Sequence, residues 1–501
     1  MKHALHLWFK NNIALIGILL LYLCIALYNL DGLPAEIWSD AIAHYYLVQG
    51  VQHGHFFINY AFGGDGPIFT YLAVLVSFFV SLSFYSLKLT SVFIGFFFVL
   101  SMYFLAKEFF KDKTTALIST TISAISFWTI VFVRQPHARI LVPLFICLTL
   151  IPTLKKRNTL AGVLLGFGMY TQASFWGMIL VYWKNLRTLL IGLILTIPLV
   201  FTFILNPTNF FSSQSYYGEK LAVHTPFLQV ITALLYNIQA NMLSFNFRGD
   251  SIFRTNIPNH PHLDILSGIL FVVGFCLIFY QSIKKKQETF ILYFILPFFL
   301  IQIPSVFDIH NYLAQPNISR MIGVIPFVYM SIAYCIVTIA KFLSTRVSTK
   351  PVKKLVTFFV YYGFLVLILI INLYNFFVVY PKYLPNGNTP FGKMIALTID
   401  ASAPDTQVII IGAGWGQWAQ PEAAGIPMAQ KTIHTEFFEQ TVFQTQSTLC
   451  QTPIKGKPLM IVSDPYFEDE LHTTNLCLHR QKSYMLTGNG WDIAYIIEGT
   501  Q

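Results

Sequence analysis

A carboxylate that takes a proton from a hydroxyl and a guanidinium that holds a phosphate are the two chemistries this sequence offers. Asp40 stands in Glu36-Ile37-Trp38-Ser39-Asp40-Ala41-Ile42-Ala43-His44-Tyr45-Tyr46, a helix-like stretch just beyond an apolar run. Ser39 and Asp40 both suit a helix N-cap, where a side-chain oxygen accepts from backbone N–H groups. Asp40 equally suits a general base, which must be an ionisable carboxylate within reach of an acceptor hydroxyl. Both readings stay open. Asp65, in Gly63-Gly64-Asp65-Gly66-Pro67, has the surroundings of a turn residue and is the second candidate carboxylate. His44, His53 and His55 gather in the same segment. They lack carboxylates at ligand spacing, so they read as interfacial polar residues and not as a metal site.

The guanidinium candidates lie further along. Arg134 and Arg139 bracket Gln135-Pro136-His137, Arg248, Asp250 and Arg254 share a long polar segment, and Arg320 begins an apolar run. Arginine at an apolar boundary calls for a partner. It either snorkels to the interface as an anchor or grips a lipid phosphate, whose oxygens match its planar fork.

These residues must be positioned by membrane-spanning helices. The chain has 501 residues, 55% of them hydrophobic and only 11% charged, against about 25% charged in a soluble protein. A net charge of +10 would suit a nucleic-acid partner, but its distribution excludes one. The basic residues form short clusters between apolar runs, at Lys107/Lys111/Lys113, Lys155/Lys156/Arg157, Lys184/Arg187, Lys284/Lys285/Lys286 and Lys341 through Lys354, as anchors on one membrane side do. The apolar run from Asn12 to Leu30 is too long for a signal-peptide core and no small-x-small site follows it. It is the first span, with a cytoplasmic N-terminus.

Placing every basic cluster in the cytoplasm gives about eleven spans. They cover 12–30, 88–106, 115–133, 139–154, 159–172, 174–183, 188–205, 263–282, 289–304, 320–340 and 356–379. The stretch 67–84 is left over and reads as a helix along the outer interface or a re-entrant one. The polar segments 31–66, 134–139, 206–262, 305–320 and the tail then share the outer face. The expectation is a polytopic α-helical membrane protein of the inner (plasma) membrane, with a multi-span domain over 1–380 and outer loops at 31–87 and 206–262. The tail, 381–501, has an amphipathic stretch at 391–401 and strand-like runs at 408–411, 459–462 and 494–497. It reads as a small extracytoplasmic α/β domain. Cys24, Cys147, Cys276 and Cys335 lie in apolar runs as small hydrophobes, while Cys450 and Cys477 in the tail are a disulfide candidate on an oxidising face. Gly412-Ala413-Gly414-Trp415-Gly416 follows a strand but reads as a glycine-rich turn.

Over roughly residues 30–330 the chain resembles bacterial membrane glycosyltransferases of the protein-mannosyltransferase type (glycosyltransferase family 39, GT-C fold). Where that family has Asp-Glu-Ala this chain has Ser39-Asp40-Ala41, and its Gly-Gly-x-x-Pro-Leu stretch is matched by Gly63-Gly64-Asp65-Gly66-Pro67-Ile68. The family's Ser-Arg-x-x-x-Arg junction is similar to 133–139, and its long-loop signature to the segments 247–261 and 316–326. Relatives commonly carry Tyr-Thr-Tyr followed by arginine. Here Tyr170-Thr171-Gln172 leads into Ala173-Ser174-Phe175 without the arginine, and Tyr170 is a further candidate.

The resemblance implies an inverting transfer of one sugar from a polyprenyl-phosphate carrier to an acceptor hydroxyl on the outer face. Asp40 would take the proton, while Arg320 with Arg254, Arg134 or Arg139 would hold the departing phosphate. Asp65 and His44 are the reserve candidates. No metal and no cofactor enter this scheme. The acceptor class, whether protein, lipid or glycan, is not readable, and membrane lipids are the remaining partners. The alternatives are a transporter of lipid-linked saccharide, disfavoured by the scarcity of charge inside the spans, and a degenerate relative that has lost activity with the acidic residue now replaced by Ser39.

Overall fold

The computed structural model describes residues 2–36, 40–61, 64–206, 227–309, 315–403, 406–411, 434–438, 458–465, 468–473 and 479–500. The chain divides into two compact units, one formed by 1–30 with 44–380 and the other by 31–43 with 381–501.

The first unit is helical, and its helices start where short polar side chains offer caps. α1 (Lys2–Leu27) leads to α2 (Asp40–Gln52), which begins in the second unit and continues in the first. α3 (Ile68–Ser77) is followed by α4 (Phe84–Phe110). Ser83 opens α4 with a reciprocal capping box: its Oγ accepts from Ser86 N at 3.2 Å while Ser86 Oγ accepts from Ser83 N at 2.9 Å. Asp112 caps α5 (Lys113–Ile125) through Thr115 N at 2.8 Å. Ser126 is extended (φ −69°, ψ 135°), so the chain bends by 53° into α6 (Phe127–Arg134). Then come α7 (Leu141–Leu154), α8 (Asn158–Gly168), α9 (Leu186–Leu205), α10 (Phe227–Leu243), α11 (Ile265–Lys284), α12 (Glu288–Val306), α13 (Ile318–Thr345) and α14 (Lys350–Tyr374). Asp264 Oδ1 caps α11 through Ser267 N, and its Oδ2 accepts from Asn372 of α14 at 2.9 Å. Asn372 Oδ1 accepts from Phe127 N at 2.7 Å, so one buried amide joins three helices.

Six of these helices are long and apolar enough to cross a membrane, or seven if α5 and α6 form one bent span. Apolar segments at 12–27, 138–154, 158–168 and 227–243 are shorter. Of the eleven expected spans, six coincide with these long helices and 115–133 with the bent pair; two departures among the described residues have local causes. The stretch 174–183 is no span: it is a 3₁₀ turn (Ala173–Gly177) and a single helical turn (Met178–Val181), because Gln172 is extended and bridges back to Asp65. The preceding span ends early, at Gly168, so α8 rises only ~16 Å against a hydrocarbon core of ~30 Å. α3, ten residues long, rises ~15 Å and cannot cross alone. α10 was hidden inside what reads as a polar loop.

The second unit is built on a five-stranded sheet. β1 (Gln407–Ile411), β2 (His434–Phe438), β3 (Pro458–Ser463), β4 (His479–Gly488) and β5 (Trp491–Thr500) lie in the order β2-β1-β3-β5-β4. β1 pairs in parallel with β2 and β3, while β5 runs antiparallel to both β3 and β4. Asn489-Gly490, both at positive φ, close the β4–β5 hairpin. The expected strand runs fall in β1, β3 and β5, and the amphipathic stretch is α15 (Phe391–Ala401). Ile409, Ile411, Leu459, Ile461, Tyr495 and Ile497 form the core on one face. Residues 31–43 belong to this unit and not to the helical one, because hydrogen bonds tie their segment there. Asn388 Oδ1 accepts from Ala35 N and its amide donates to Gly32 O, while Glu36 accepts from Lys393 N at 3.1 Å.

Candidate active site in the helical unit

Asp65 is fixed by its own backbone before its side chain does anything. Its carbonyl accepts from Ala61 N at 2.9 Å, it bridges Gln172, and the next residue donates from Gly66 N to Thr171 O at 2.9 Å. A Cβ on Gly66 would stand 1.9 Å from Tyr170 O, so only glycine lets the two segments approach this closely. The carboxylate then points between an imidazole and a guanidinium. His44 Nε2 lies 3.4 Å from Oδ2 and Arg139 Nε lies 3.7 Å from Oδ1. Asp65 and His44 are wholly buried, and Arg139 is 14% exposed. Neither Asp65 oxygen has a hydrogen bond within the described residues.

The His44 ring is held on its other side, with Nδ1 3.5 Å from Thr70 Oγ1 and the face 4.7 Å from Phe69. Beside this cluster Tyr60 donates to Met169 O and accepts from Trp176 Nε1 at 2.6 Å. Burial pushes the Tyr60 phenol well up, leaving it a neutral hydrogen-bonding group. Tyr170 is turned elsewhere: its hydroxyl donates to Leu195 O at 2.9 Å in α9.

A second ion pair is built around the start of α13. Asn317 Oδ1 caps the helix through Arg320 N at 3.3 Å, and Arg320 Nη1 pairs with Asp308 Oδ2. The same Asp308 oxygen accepts from Gln315 at 2.7 Å. Ser305 donates to Gln315 Oε1 and is 3.0 Å from Asn241 Oδ1, and Asn237 donates to the carbonyls of Val306 and Asp308. The carboxylate is nearly all buried while Arg320 keeps 22% of its side chain exposed. A guanidinium held by a buried carboxylate keeps its planar fork in a set orientation, which suits it to an anionic ligand.

Asp250 organises the segment that packs on this helix start. Oδ1 accepts from Ile252 N at 2.8 Å, and Oδ2 accepts from Ile318 N at 3.1 Å and from Thr255 Oγ1 at 3.3 Å. Burial outweighs these donors and the nearby Arg254 charge, and pushes the Asp250 carboxyl up to about 6. Arg254 is half-buried and its carbonyl accepts from Tyr380, whose hydroxyl also receives Gln135 Nε2 at 3.1 Å. The junction 134–139 and the segment 248–262 therefore meet through Tyr380.

Arg134 is spent on structure. Nη1 donates to the carbonyls of Ile25, Ala26 and Tyr28, Nη2 donates to Asn29 O, and the guanidinium packs over Phe376 and Phe377. It closes the open carbonyls at the end of α1. Asp40 is the first residue of α2, four positions before His44; its side chain lies outside the described residues, as do Cys450, Cys477 and the glycine-rich segment 412–416. Among the described residues no group of three or more His, Cys, Asp or Glu could hold a metal ion.

The sequence reading missed Asp308, Gln315 and the pair Asn237/Asn241. The signals were present. An arginine at an apolar boundary needs a partner, and two asparagines four apart lie on one face of α10, both buried.

No protein-family model and no curated protein sequence matches the chain. Solved structures do. ArnT from Cupriavidus metallidurans, bound to undecaprenyl phosphate, is 12% identical, with 96% of this chain and 98% of that one covered at a TM-score of 0.50. Its apo form matches at 0.51. The oligosaccharyltransferase of Archaeoglobus fulgidus, tethered to an acceptor peptide, is 12% identical over 92% of this chain and 70% of its own, at 0.53. The fold is GT-C. Asp65 and Asp308 stand in segments between helices, while His44 comes from α2 and Arg320 from the first turn of α13; α4, α7 and α13 are the buried scaffold.

Proposed function

We propose that this chain is an inverting glycosyltransferase that moves a single sugar from a polyprenyl-phosphate carrier to an acceptor hydroxyl at the outer membrane face. The observation that carries the reading is the match of nearly the whole chain to the GT-C fold of ArnT, a protein solved with undecaprenyl phosphate bound. The resemblance of 39–41, 63–68 and 133–139 to protein-mannosyltransferase-type enzymes points the same way.

In the proposed reaction the Asp40 carboxylate takes the acceptor's proton as the acceptor oxygen bonds to the anomeric carbon from the side opposite the phosphate. The bond between that carbon and the phosphate oxygen breaks, and the electron pair leaves with the polyprenyl phosphate. Arg320, with Arg254 or Arg139, meets the charge that grows there; preorganised donors have their largest effect at that point. Asp308 holds Arg320 in place, and Asp65 holds Arg139. Arg134 has no share in this scheme, since its donors serve the end of α1.

The test is transfer of radiolabelled sugar from mixed polyprenyl-phosphate sugars in membranes holding the wild type or Asp40→Asn at equal levels. The expected result is transfer in the wild type that the variant loses. Transfer by both would keep the enzyme class and move the base to Asp65. Transfer by neither would sink the reading.

A further inference from the structure

Away from the candidate site, α1, α5 and α14 enclose a groove of about 420 Å³. Its walls are apolar side chains such as Ile18, Leu117 and Leu365, and its floor opens at Gly17. A Cβ placed on Gly17 would meet nothing within 4 Å. Along α5 the groove runs from Thr114 to Ile125, ~16 Å of helix, which matches one leaflet's half of a ~30 Å hydrocarbon core.

The three helices run the same way past this groove. Asp112, at the start of α5, is close enough to Tyr361 of α14 to act on it electrostatically. Beyond the other end of α5, Phe127 N donates to Asn372 of α14. The end of α1 meets the end of α14 through Arg134, which donates to Ile25 O and packs on Phe376. All three N-termini therefore lie at one end of the groove, and those of α5 and α14 are basic. Lys113 immediately precedes Thr114, and Lys350, Lys353 and Lys354 precede Tyr361. Helix N-termini add positive potential at the same end. The acidic group there, Asp112, is engaged in capping through Thr115 N and Oγ1 and lies near Lys341.

We propose that this groove holds one acyl chain of an anionic phospholipid, with the head-group phosphate on the lysines at the start of α5 and α14. An apolar slot of leaflet depth selects a chain and not a compact ligand, and the basic rim selects the charge on its head. The inference stands apart from the proposed glycosyltransferase activity and uses none of its residues.

The experiment reconstitutes the full chain in nanodiscs of equimolar phosphatidylglycerol and phosphatidylcholine and counts retained lipids by native mass spectrometry. Wild type is expected to keep one phosphatidylglycerol in about tenfold preference over phosphatidylcholine. Gly17→Phe fills the slot and should lose the retained lipid of either kind. Gly17→Leu, a better helix former than glycine, guards against misfolding and should show the same loss. Lys113→Gln with Lys354→Gln should keep a lipid but erase the preference. Equal retention of the two lipids by wild type, or retention untouched in both Gly17 variants, would overturn the proposal. So would displacement of phosphatidylglycerol by polyprenyl phosphate, which would assign the groove to the carrier lipid.

Discussion

His44 Nε2 stands 3.4 Å from Asp65 Oδ2, and both side chains are fully shielded from solvent. With Arg139 Nε 3.7 Å from the other oxygen, one carboxylate is flanked by two nitrogen groups that the sequence separates widely. Removing the charge from Asp65 takes away the carboxylate that Arg139 Nε faces in this buried cluster. Asp65→Asn should cost about 3 kcal/mol and lower the thermal midpoint of the detergent-purified protein. A double-mutant cycle with Arg139→Gln should return a coupling of about 1 kcal/mol or more; strictly additive shifts would show that the two side chains do not interact.

Asp250 gives a pH dependence of definite sign. Its carboxyl sits at about 6 in the folded chain against an ordinary 3.8. Between those values the folded chain keeps a proton that the unfolded chain has released, so its contribution to stability falls as pH rises through about 4 to 6. The full difference is about 3 kcal/mol. Hydrogen-exchange protection of the segment 248–260 should therefore be higher at pH 5 than at pH 7. That difference should vanish in Asp250→Asn, whose side chain does not titrate.

Arg134→Lys should be destabilising although charge is kept. A lysine ammonium has three donors on one atom and cannot span the carbonyls from Ile25 to Asn29 that the planar fork reaches. A loss of about 2 kcal/mol is expected from the unmet carbonyls and the lost ring packing, read as a lowered thermal midpoint. A midpoint equal to wild type would return Arg134 to the candidate phosphate ligands.

Arg320 should behave differently, with its cost in turnover. Arg320→Ala should lower sugar transfer about 10²–10³-fold per mole of folded, membrane-inserted protein, on top of the stability lost by leaving the buried Asp308 carboxylate without its arginine. Asp308→Asn, which loosens the guanidinium without removing it, should fall between this variant and wild type. Equal activity of Arg320→Ala and wild type would remove Arg320 from the phosphate site.

Much of this architecture was legible in the residues themselves. Hydrophobic runs long enough to cross a bilayer fixed most of the helices, because an apolar segment in lipid has few ways other than a helix to satisfy its backbone. Strand-like runs marked β1, β3 and β5, whereas the caps Ser83, Asp112 and Asp264 that set the first turns of α4, α5 and α11 were not singled out in the sequence. Length alone misled at 159–183, where a tertiary bridge between Gln172 and Asp65 breaks the helix that hydropathy would continue.

What the sequence by itself determined was the class of protein and the kinds of side chain at its polar boundaries. Only tertiary structure decided their partners. Arg134 and Arg139 look alike at five residues' separation, yet one caps the carbonyls at the end of α1 and the other faces Asp65. Asp250 and Asp308 both stand in polar segments, yet one ties the backbone starting α13 and the other holds its arginine. Helix periodicity and capping are set within a few residues. The match of a buried charge to its counterpart depends on which distant segments packing brings together, and the cost of leaving it unpaired then fixes the pairing.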